Sequence, residues 1–220
     1  ISLEDITDIS KVKNTFKRYV SKQVVDELLG DDTKLKLGGE EREVTVLFSD
    51  IRGFTSMSEK LKAEDVVKTL NNYFSDMIDI VFKYNGTLDK IIGDELMIVY
   101  GAPLVGVDDT ERAVQTAIEM QRQIKIINER RTIDGLIPIK VGMGINQGTV
   151  VSGNIGSRDM MDYTVIGDTV NLGARLCSYA SPDEIIVSNT VYEQTKTMFN
   201  YCKLDSIKVK GKRKKVEIYR

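Results

Sequence analysis

The order of apolar segments between Val44 and Asn146 is the feature that most constrains the fold. Short apolar or alternating runs predict strands, and runs with apolar residues three and four positions apart predict helices. The resulting order is strand, helix, strand, strand, helix, strand, which is the split βαβ arrangement of ferredoxin-like folds. The sequence therefore predicts an α+β fold, in which a βαββαβ core sheet has helices packed on one face and is followed by a C-terminal extension.

The same periodicities place the individual elements. In the core, strands are predicted at 44–49, 87–90, 95–100 and 139–146, with helices at 58–84 and 108–131. Beyond the core, the patterns predict strands at 149–154, 163–166 and 184–187, a helix at 169–179, and a closing hairpin of 201–209 with 214–219.

The N-terminal part of the chain differs from this core. Helical spacing of apolar residues covers 9–29, and the polar, glycine-bearing stretch 31–41 is typical of a linker. We therefore predict two regions, a helical lead-in and linker at 1–41 and a catalytic domain at 42–220. The first helix either packs on its own domain or pairs with a partner chain, and a start at Ile1 suggests a fragment of a longer protein.

Composition excludes several classes of chemistry. The 220 residues suit one well-buried domain, and no histidine is present, which removes the commonest general base and most zinc sites. Cys177 and Cys202 are the only cysteines, too few for a disulfide scaffold, so we interpret both as free thiols. A net charge of -2 argues against nucleic-acid binding. With no long apolar run and no signal segment, a cytoplasmic location without membrane contact is expected.

Two aspartates occupy equivalent places in the predicted core. Asp50 follows the apolar run 44–49, and Asp94 falls in or beside the turn between the next two strands. Carboxylates at neighbouring strand ends can converge on divalent cations, with phosphate oxygens completing the coordination. The pair is therefore typical of metal-assisted phosphoryl transfer.

A short glycine-containing loop follows the first of these aspartates. Gly53, Phe54 and Thr55 lie where the strand passes into a helix, and the free N–H groups at such a point favour a phosphate. The alternative is that the glycine serves only a tight turn.

A second polar pair lies on the helix predicted at 169–179. Asn171 and Arg175 are four residues apart, so they share one face of the helix. An Asn beside an Arg can orient a ribose and neutralise charge that grows on a phosphate, although an exposed polar face would have the same pattern.

Together these motifs identify a family. The chain resembles the catalytic domain of the class III nucleotidyl cyclases from about residue 42 to residue 220. The motifs that carry the resemblance occur in the family's order: FSDIRGFT at 48–55, KIIGDE at 90–95, the run at 163–175, and VKGK at 209–212. The helical lead-in resembles the linker that joins such domains to sensory modules.

The resemblance implies a head-to-tail homodimer with two composite sites, each using residues of both copies. Asp50 and Asp94, with the carbonyl of Ile51, would bind two Mg²⁺ or Mn²⁺ ions. The partner copy would contribute Asn171 and Arg175, which act in the transition state. Lys210 would contact the terminal phosphates, beside the loop of Gly53, Phe54 and Thr55.

The implied reaction is the conversion of ATP to 3′,5′-cyclic AMP. The ribose 3′-hydroxyl attacks the α-phosphorus and pyrophosphate leaves, with the metals and Arg175 stabilising the developing charge. Lys90 and Thr164 stand at the positions that choose the purine: a Lys donor and a hydroxyl acceptor match adenine, and guanine reverses both groups.

Thr164 departs from the aspartate that many adenine-selective members carry. Because a hydroxyl can donate as well as accept, we expect it to discriminate less sharply than a carboxylate. Threonine there resembles the class IIIb subgroup, which includes cyanobacterial cyclases and the mammalian soluble enzyme, and a response to bicarbonate is a hypothesis on that ground. Two alternatives remain: a guanylyl cyclase, disfavoured by Lys90, and a non-catalytic nucleotide-binding regulatory domain.

Overall fold

The computed structural model describes residues 24–25, 37–209 and 215–220. Of the predicted N-terminal helix, Val24 and Val25 are described, and both are helical and buried. The elements that follow, in chain order, are β1 (Gly38–Ile51), α1 (Phe54–Ser58), α2 (Ala63–Lys83), β2 (Thr87–Ile92), β3 (Glu95–Tyr100), α3 (Asp109–Ile133), β4 (Val141–Gly156), β5 (Met161–Ile166), α4 (Asp168–Tyr179), β6 (Ile185–Ser188), α5 (Asn189–Thr195) and β7 (Ile218–Tyr219).

A single mixed sheet joins these strands. Its order is β2-β3-β1-β4-β6-β7, and β5 pairs with β4 off that path. The pairs within β2-β3-β1-β4 are antiparallel, whereas β4 and β6 run parallel. The predicted α+β class and the strand–helix order of the core are confirmed by this topology.

The two long helices of the βαββαβ unit cover one face of the sheet. Along β1, Leu47 and Ile51 point to this face, because alternate residues of a strand face opposite ways. They belong to a core cluster with Tyr73 and Met77 of α2 and Met120 of α3, all buried. The predicted placement of helices on one face therefore holds for α2 and α3.

The prediction of one covered face does not extend to α4, which packs on the opposite face. There, Val46 and Phe48 of β1 form a second cluster with Cys177 of α4. Two glycines allow this close approach: a Cβ on Gly173 would lie 2.7 Å from the Val46 side chain, and one on Gly144 would lie 2.0 Å from the Cys177 backbone nitrogen. The sheet is thus enclosed from both sides near the middle of β1.

Replacing Gly144 with alanine is expected to destabilise the fold. The new methyl group would meet backbone of α4 rather than a movable side chain, and such overpacking typically costs about 1–3 kcal/mol. Urea unfolding should show a lower midpoint with an unchanged m value. Gly148→Ala is the matched control on the same strand, because its closest neighbour is the Thr169 hydroxyl; equal losses in the two variants would contradict the explanation.

Two further sequence expectations change in the structure. The strands predicted at 139–146 and 149–154 are one continuous strand, β4, because Gln147 and Gly148 keep pairing with Thr45 and Val44 of a β1 that begins at Gly38. The predicted closing hairpin is antiparallel where it is described, through the bridges between Lys203 and Tyr219 and between Ile207 and Val216.

Within the described residues, no helix is long and apolar enough to cross a membrane.

Candidate active site

The structure brings Asp50 and Asp94 together at one end of the sheet. Asp50 is the penultimate residue of β1, and Asp94 follows Gly93, whose φ of 65° forms the tight turn between β2 and β3. Neighbouring pairing of β1 with β3 places the end of one strand beside the start of the other. Burial, and then the nearby charge of Asp50, raise the pKa of Asp94 to about 6.

A third acidic side chain adds to the negative charge at this point. Glu95, the residue after Asp94, is half-buried, and its pKa is raised to about 7, first by burial and then by the charge of Asp50. Hydrogen bonding from the backbone at Ile51 acts in the opposite direction and lowers the pKa of Asp94. Clustered carboxylates of this kind have excess negative charge for a cation to neutralise.

The donor set at this point fits hard divalent cations. Mg²⁺ and Mn²⁺ prefer carboxylate and carbonyl oxygens and usually retain water or phosphate ligands. Within the described residues, no group of three or more His, Cys, Asp or Glu side chains is placed to hold a metal ion by itself. Asp50, Asp94 and the Ile51 carbonyl would therefore form a partial site, which the phosphate oxygens of a bound nucleotide would complete.

Arg52 is a member of this cluster that the sequence reasoning did not single out. Its Nη1 donates to Asp50 Oδ2 at 2.7 Å, and its Nη2 donates to the carbonyl oxygen of Cys177 in α4. A Cβ on Gly142 would collide with this guanidinium, so the glycine makes room for it. Its Nε is buried without a hydrogen-bond partner among the described residues. Arg52 thus connects Asp50 to α4.

The predicted phosphate loop has the expected turn but only a short helix behind it. Gly53 adopts φ 72°, ψ 19°, which is the left-handed conformation that glycine accommodates without a steric penalty. Phe54 and Thr55 begin α1, which is five residues long. Because a helix this short has a small dipole, any phosphate held here would be bound mainly by the N–H groups of the loop.

Lys90 and Thr164 are 74 positions apart (164 minus 90), and both contact Asp89. No role is predicted for this aspartate from the sequence. Asp89 Oδ2 accepts a hydrogen bond from Thr164 Oγ1 at 3.0 Å and lies 3.3 Å from Lys90 Nζ. Lys90 also donates to Asp162 Oδ2 at 2.7 Å. The Asp89 side chain is 5% exposed, and that of Asp162 is 63% exposed. Lys90 and Thr164 therefore both contact the same buried aspartate.

A β-bulge explains how adjacent residues of β2 can both reach β5. Leu88 pairs with Ile98 and Lys90 with Met97, so the register shifts and Asp89 is the extra residue. A bulge re-aims side chains that would otherwise alternate between faces. Burial raises the pKa of Asp89, whereas the charge of Lys90 and the hydrogen bond from Thr164 lower it.

Asn171 and Arg175 lie one turn apart on the outward side of α4. Leu172, Gly173 and Leu176 form the buried side of this helix, whereas Asn171 is exposed and Arg175 is half-buried. Neither side chain makes a hydrogen bond or ion pair with any residue that the structure describes. The pair therefore faces away from the side of α4 whose Cys177 carbonyl binds Arg52. Lys210, the predicted phosphate contact, lies outside the described residues.

Taken together, the structure is that of an α+β domain with clustered carboxylates at one end of the sheet and with Lys90 and Thr164 in contact with one aspartate. The Adenylate and Guanylate cyclase catalytic domain model matches residues 39–220, and the chain belongs to this family. Catalytic domains of the family bind nucleotides, dimerise and generally use two metal ions.

Individual relatives agree on the family and differ in the nucleotide they are named for. The chain is 30% identical over 207 residues to adenylate cyclase 1 of Rhizobium meliloti, covering 93% of this chain and 31% of that protein. It is 40% identical to the adenylyl cyclase CyaB from P. aeruginosa, with a TM-score of 0.80 over 83% of this chain and 95% of that one. It is 41% identical to the guanylyl cyclase Cya2, with a TM-score of 0.80 over 83% and 93%.

Proposed function

We propose that the chain is the catalytic domain of an adenylyl cyclase, which converts ATP to 3′,5′-cyclic AMP and pyrophosphate. Family membership supports the reaction class. The adjacency of Asp50 and Asp94, with raised pKa at Asp94, supports a metal site for the triphosphate. Because the relatives include an adenylyl and a guanylyl cyclase at nearly equal identity, the nucleotide has to be argued from this chain's own residues.

The observation that carries the choice of ATP is the environment of Lys90. Its ammonium has three N–H donors and no acceptor, and Asp89 and Asp162 engage it from two directions. One donor is left, which matches N1 of adenine, an acceptor, and opposes N1 of guanine, which carries a proton. Because the N–H at N1 of guanine would face this N–H donor, a guanylyl cyclase is the less favoured candidate.

The roles of the remaining residues follow from their chemistry. Asn171 would orient the ribose so that its 3′-hydroxyl attacks the α-phosphorus, breaking the bond to pyrophosphate. Arg175 would donate to the α-phosphate oxygens, where one preorganised donor is typically worth about 3–4 kcal/mol in the transition state. Two bound Mg²⁺ or Mn²⁺ ions would supply Lewis acidity and charge neutralisation along the triphosphate. Lys210 would contact the terminal phosphates.

We further propose that the site is shared between two copies arranged head to tail. Asn171 and Arg175 point outward from α4 and have no partner among the described residues. Asp50 is on the other side of that helix, where Arg52 connects it to the Cys177 carbonyl. A second copy that brings its own α4 over Asp50 and Asp94 would complete the site. A bicarbonate response remains a hypothesis that rests on Thr164 alone.

The test is a direct assay of the chain with ATP or GTP and Mg²⁺ or Mn²⁺. We expect cyclic AMP and pyrophosphate in equal amounts, cyclic GMP at a rate lower by tenfold or more, and a specific activity that falls on dilution as dimers separate. Asp94→Asn should abolish product while the thermal unfolding remains that of a folded protein. More cyclic GMP than cyclic AMP would refute the choice of ATP, and undiminished activity at strictly monomeric concentrations would refute the shared site.

A further inference from the structure

Asp89 is a buried carboxylate that contacts both proposed base-reading residues, and its contact with Thr164 has not been used in the function proposed above. Its Oδ2 lies 3.0 Å from Thr164 Oγ1 and 3.3 Å from Lys90 Nζ. With 5% of its side chain exposed, the carboxylate has little access to water, and its polar contacts among the described residues are those with these two side chains. Because Asp89 contacts both residues, it can orient the hydroxyl of Thr164 and the ammonium of Lys90 relative to a bound base.

The chemistry of the three groups fixes the direction of the Thr164 hydrogen bond. An ionised carboxylate is only an acceptor, and a threonine hydroxyl has a single proton with lone pairs on its oxygen. Thr164 must therefore donate its proton to Asp89, as the structure shows. What remains available on Thr164 Oγ1 is acceptor capacity.

We propose that Asp89 is a specificity-determining residue, which holds the Thr164 hydroxyl as an acceptor so that it binds the 6-amino group of adenine and does not donate to O6 of guanine. This inference rests on the proposed cyclase function and on Lys90 and Thr164 as readers of the base. It removes the ambiguity that a hydroxyl would have on its own at this position. Asp89 supplies, from β2, the negative charge that Thr164 lacks.

Asp162 offers the matched comparison. It also binds Lys90, at 2.7 Å, but the structure shows no contact between it and the Thr164 hydroxyl, and it is largely exposed. Neutralising Asp162 therefore removes one carboxylate from Lys90 without changing the direction of the Thr164 hydrogen bond. The two aspartates separate an effect on the hydroxyl from a general effect on the charge of Lys90.

The experiment measures kcat/KM for ATP and for GTP in Asp89→Asn, Asp162→Asn and the unmodified chain. In Asp89→Asn the amide oxygen stays in the place of Oδ2, against both Lys90 and Thr164, but it carries no charge and accepts the Thr164 proton more weakly than the carboxylate does. The hydroxyl can then turn its proton toward O6 of guanine. We expect the ATP-to-GTP ratio to fall about tenfold in Asp89→Asn and to stay within about twofold in Asp162→Asn. If Asp89 had a purely structural role, Asp89→Asn would lower kcat/KM for both nucleotides equally, and that result would overturn the proposal.

A second measurement covers loss of folding in Asp89→Asn. Thr164→Val removes the hydroxyl and leaves Asp89 in place. The measurement is the affinity for 3′-deoxy-ATP divided by the affinity for 3′-deoxy-GTP, and this ratio should fall at least as far in Thr164→Val as in Asp89→Asn. Adding Asp89→Asn to Thr164→Val should change that ratio little further, because the hydroxyl through which Asp89 acts is gone. An unchanged ratio in Thr164→Val would refute the proposal.

If the unmodified chain makes neither cyclic nucleotide, the proposed function fails. If it makes cyclic AMP and Asp89→Asn keeps its selectivity, only this inference fails.

Discussion

An equal mixture of Asp50→Ala and Arg175→Ala chains is expected to form cyclic AMP, although each variant alone is nearly inactive. In the proposed dimer, Asp50→Ala removes the metal half of both sites, and Arg175→Ala removes the transition-state half of both. A heterodimer holds one site with both defects and one site with neither. Random exchange makes about half of the dimers heterodimers, so about a quarter of the unmodified activity should return.

The measurement is cyclic AMP production after the two purified variants are mixed and allowed to exchange subunits. Asp50→Ala mixed with Asp94→Ala is the control, because both changes lie in the metal half and every site in that mixture is defective. Arg175→Ala alone should retain between about a hundredth and a thousandth of the rate. A mixture of Asp50→Ala with Arg175→Ala that stays inactive would contradict the division of roles between the copies.

The core of the fold was predictable because its elements are strongly periodic. The apolar run at 44–48 indicates a buried strand, and the helical spacing along α2 follows from the one face of that helix that is buried. The side of the sheet that α4 covers was not predictable in this way, because Leu172, Leu176 and Cys177 show that the helix is buried without showing against what. The residues that indicate which face α4 covers are Gly144 and Gly173. At both positions a Cβ would collide, because β4 and β1 approach α4 so closely.

The candidate site divides in a similar way. Asp50 and Asp94 could be singled out because two carboxylates at the ends of apolar strands, in a chain without histidine, form a pattern that one such aspartate does not. Their role in metal binding stays a prediction. Arg52 and Asp89 were missed because their partners are distant in sequence: Cys177 is 125 positions from Arg52, and Thr164 is 75 positions from Asp89. The bulge at Asp89 also breaks the simple alternation that would have put it and Lys90 on opposite faces. Such contacts follow from tertiary packing, which local patterns do not contain.

Lys90→Glu is expected to lower cyclic AMP formation about a hundredfold without creating a guanylyl cyclase. The substitution removes the donor to adenine N1 and supplies an acceptor that suits N1 of guanine. In this structure, however, Asp89 and Asp162 already lie against the Lys90 ammonium, so a third carboxylate would meet two others with no cation between them. Asp89 would also continue to hold the Thr164 hydroxyl as an acceptor, which repels O6 of guanine.

The combination of Lys90→Glu with Asp89→Asn should therefore favour GTP over ATP where the single variant does not. Neutralising Asp89 relieves the repulsion and frees the Thr164 proton for guanine O6, so that both groups then match guanine.

The measurement is kcat/KM for each nucleotide in the single and double variants. Lys83→Glu is the control for charge reversal, since Lys83 also pairs with a carboxylate, Glu119 at 3.3 Å, and is 60% exposed; it should leave the nucleotide ratio unchanged. Full GTP activity in Lys90→Glu alone would show that Asp89 does not direct the Thr164 hydroxyl, and unchanged ATP activity in that variant would show that Lys90 does not read the base.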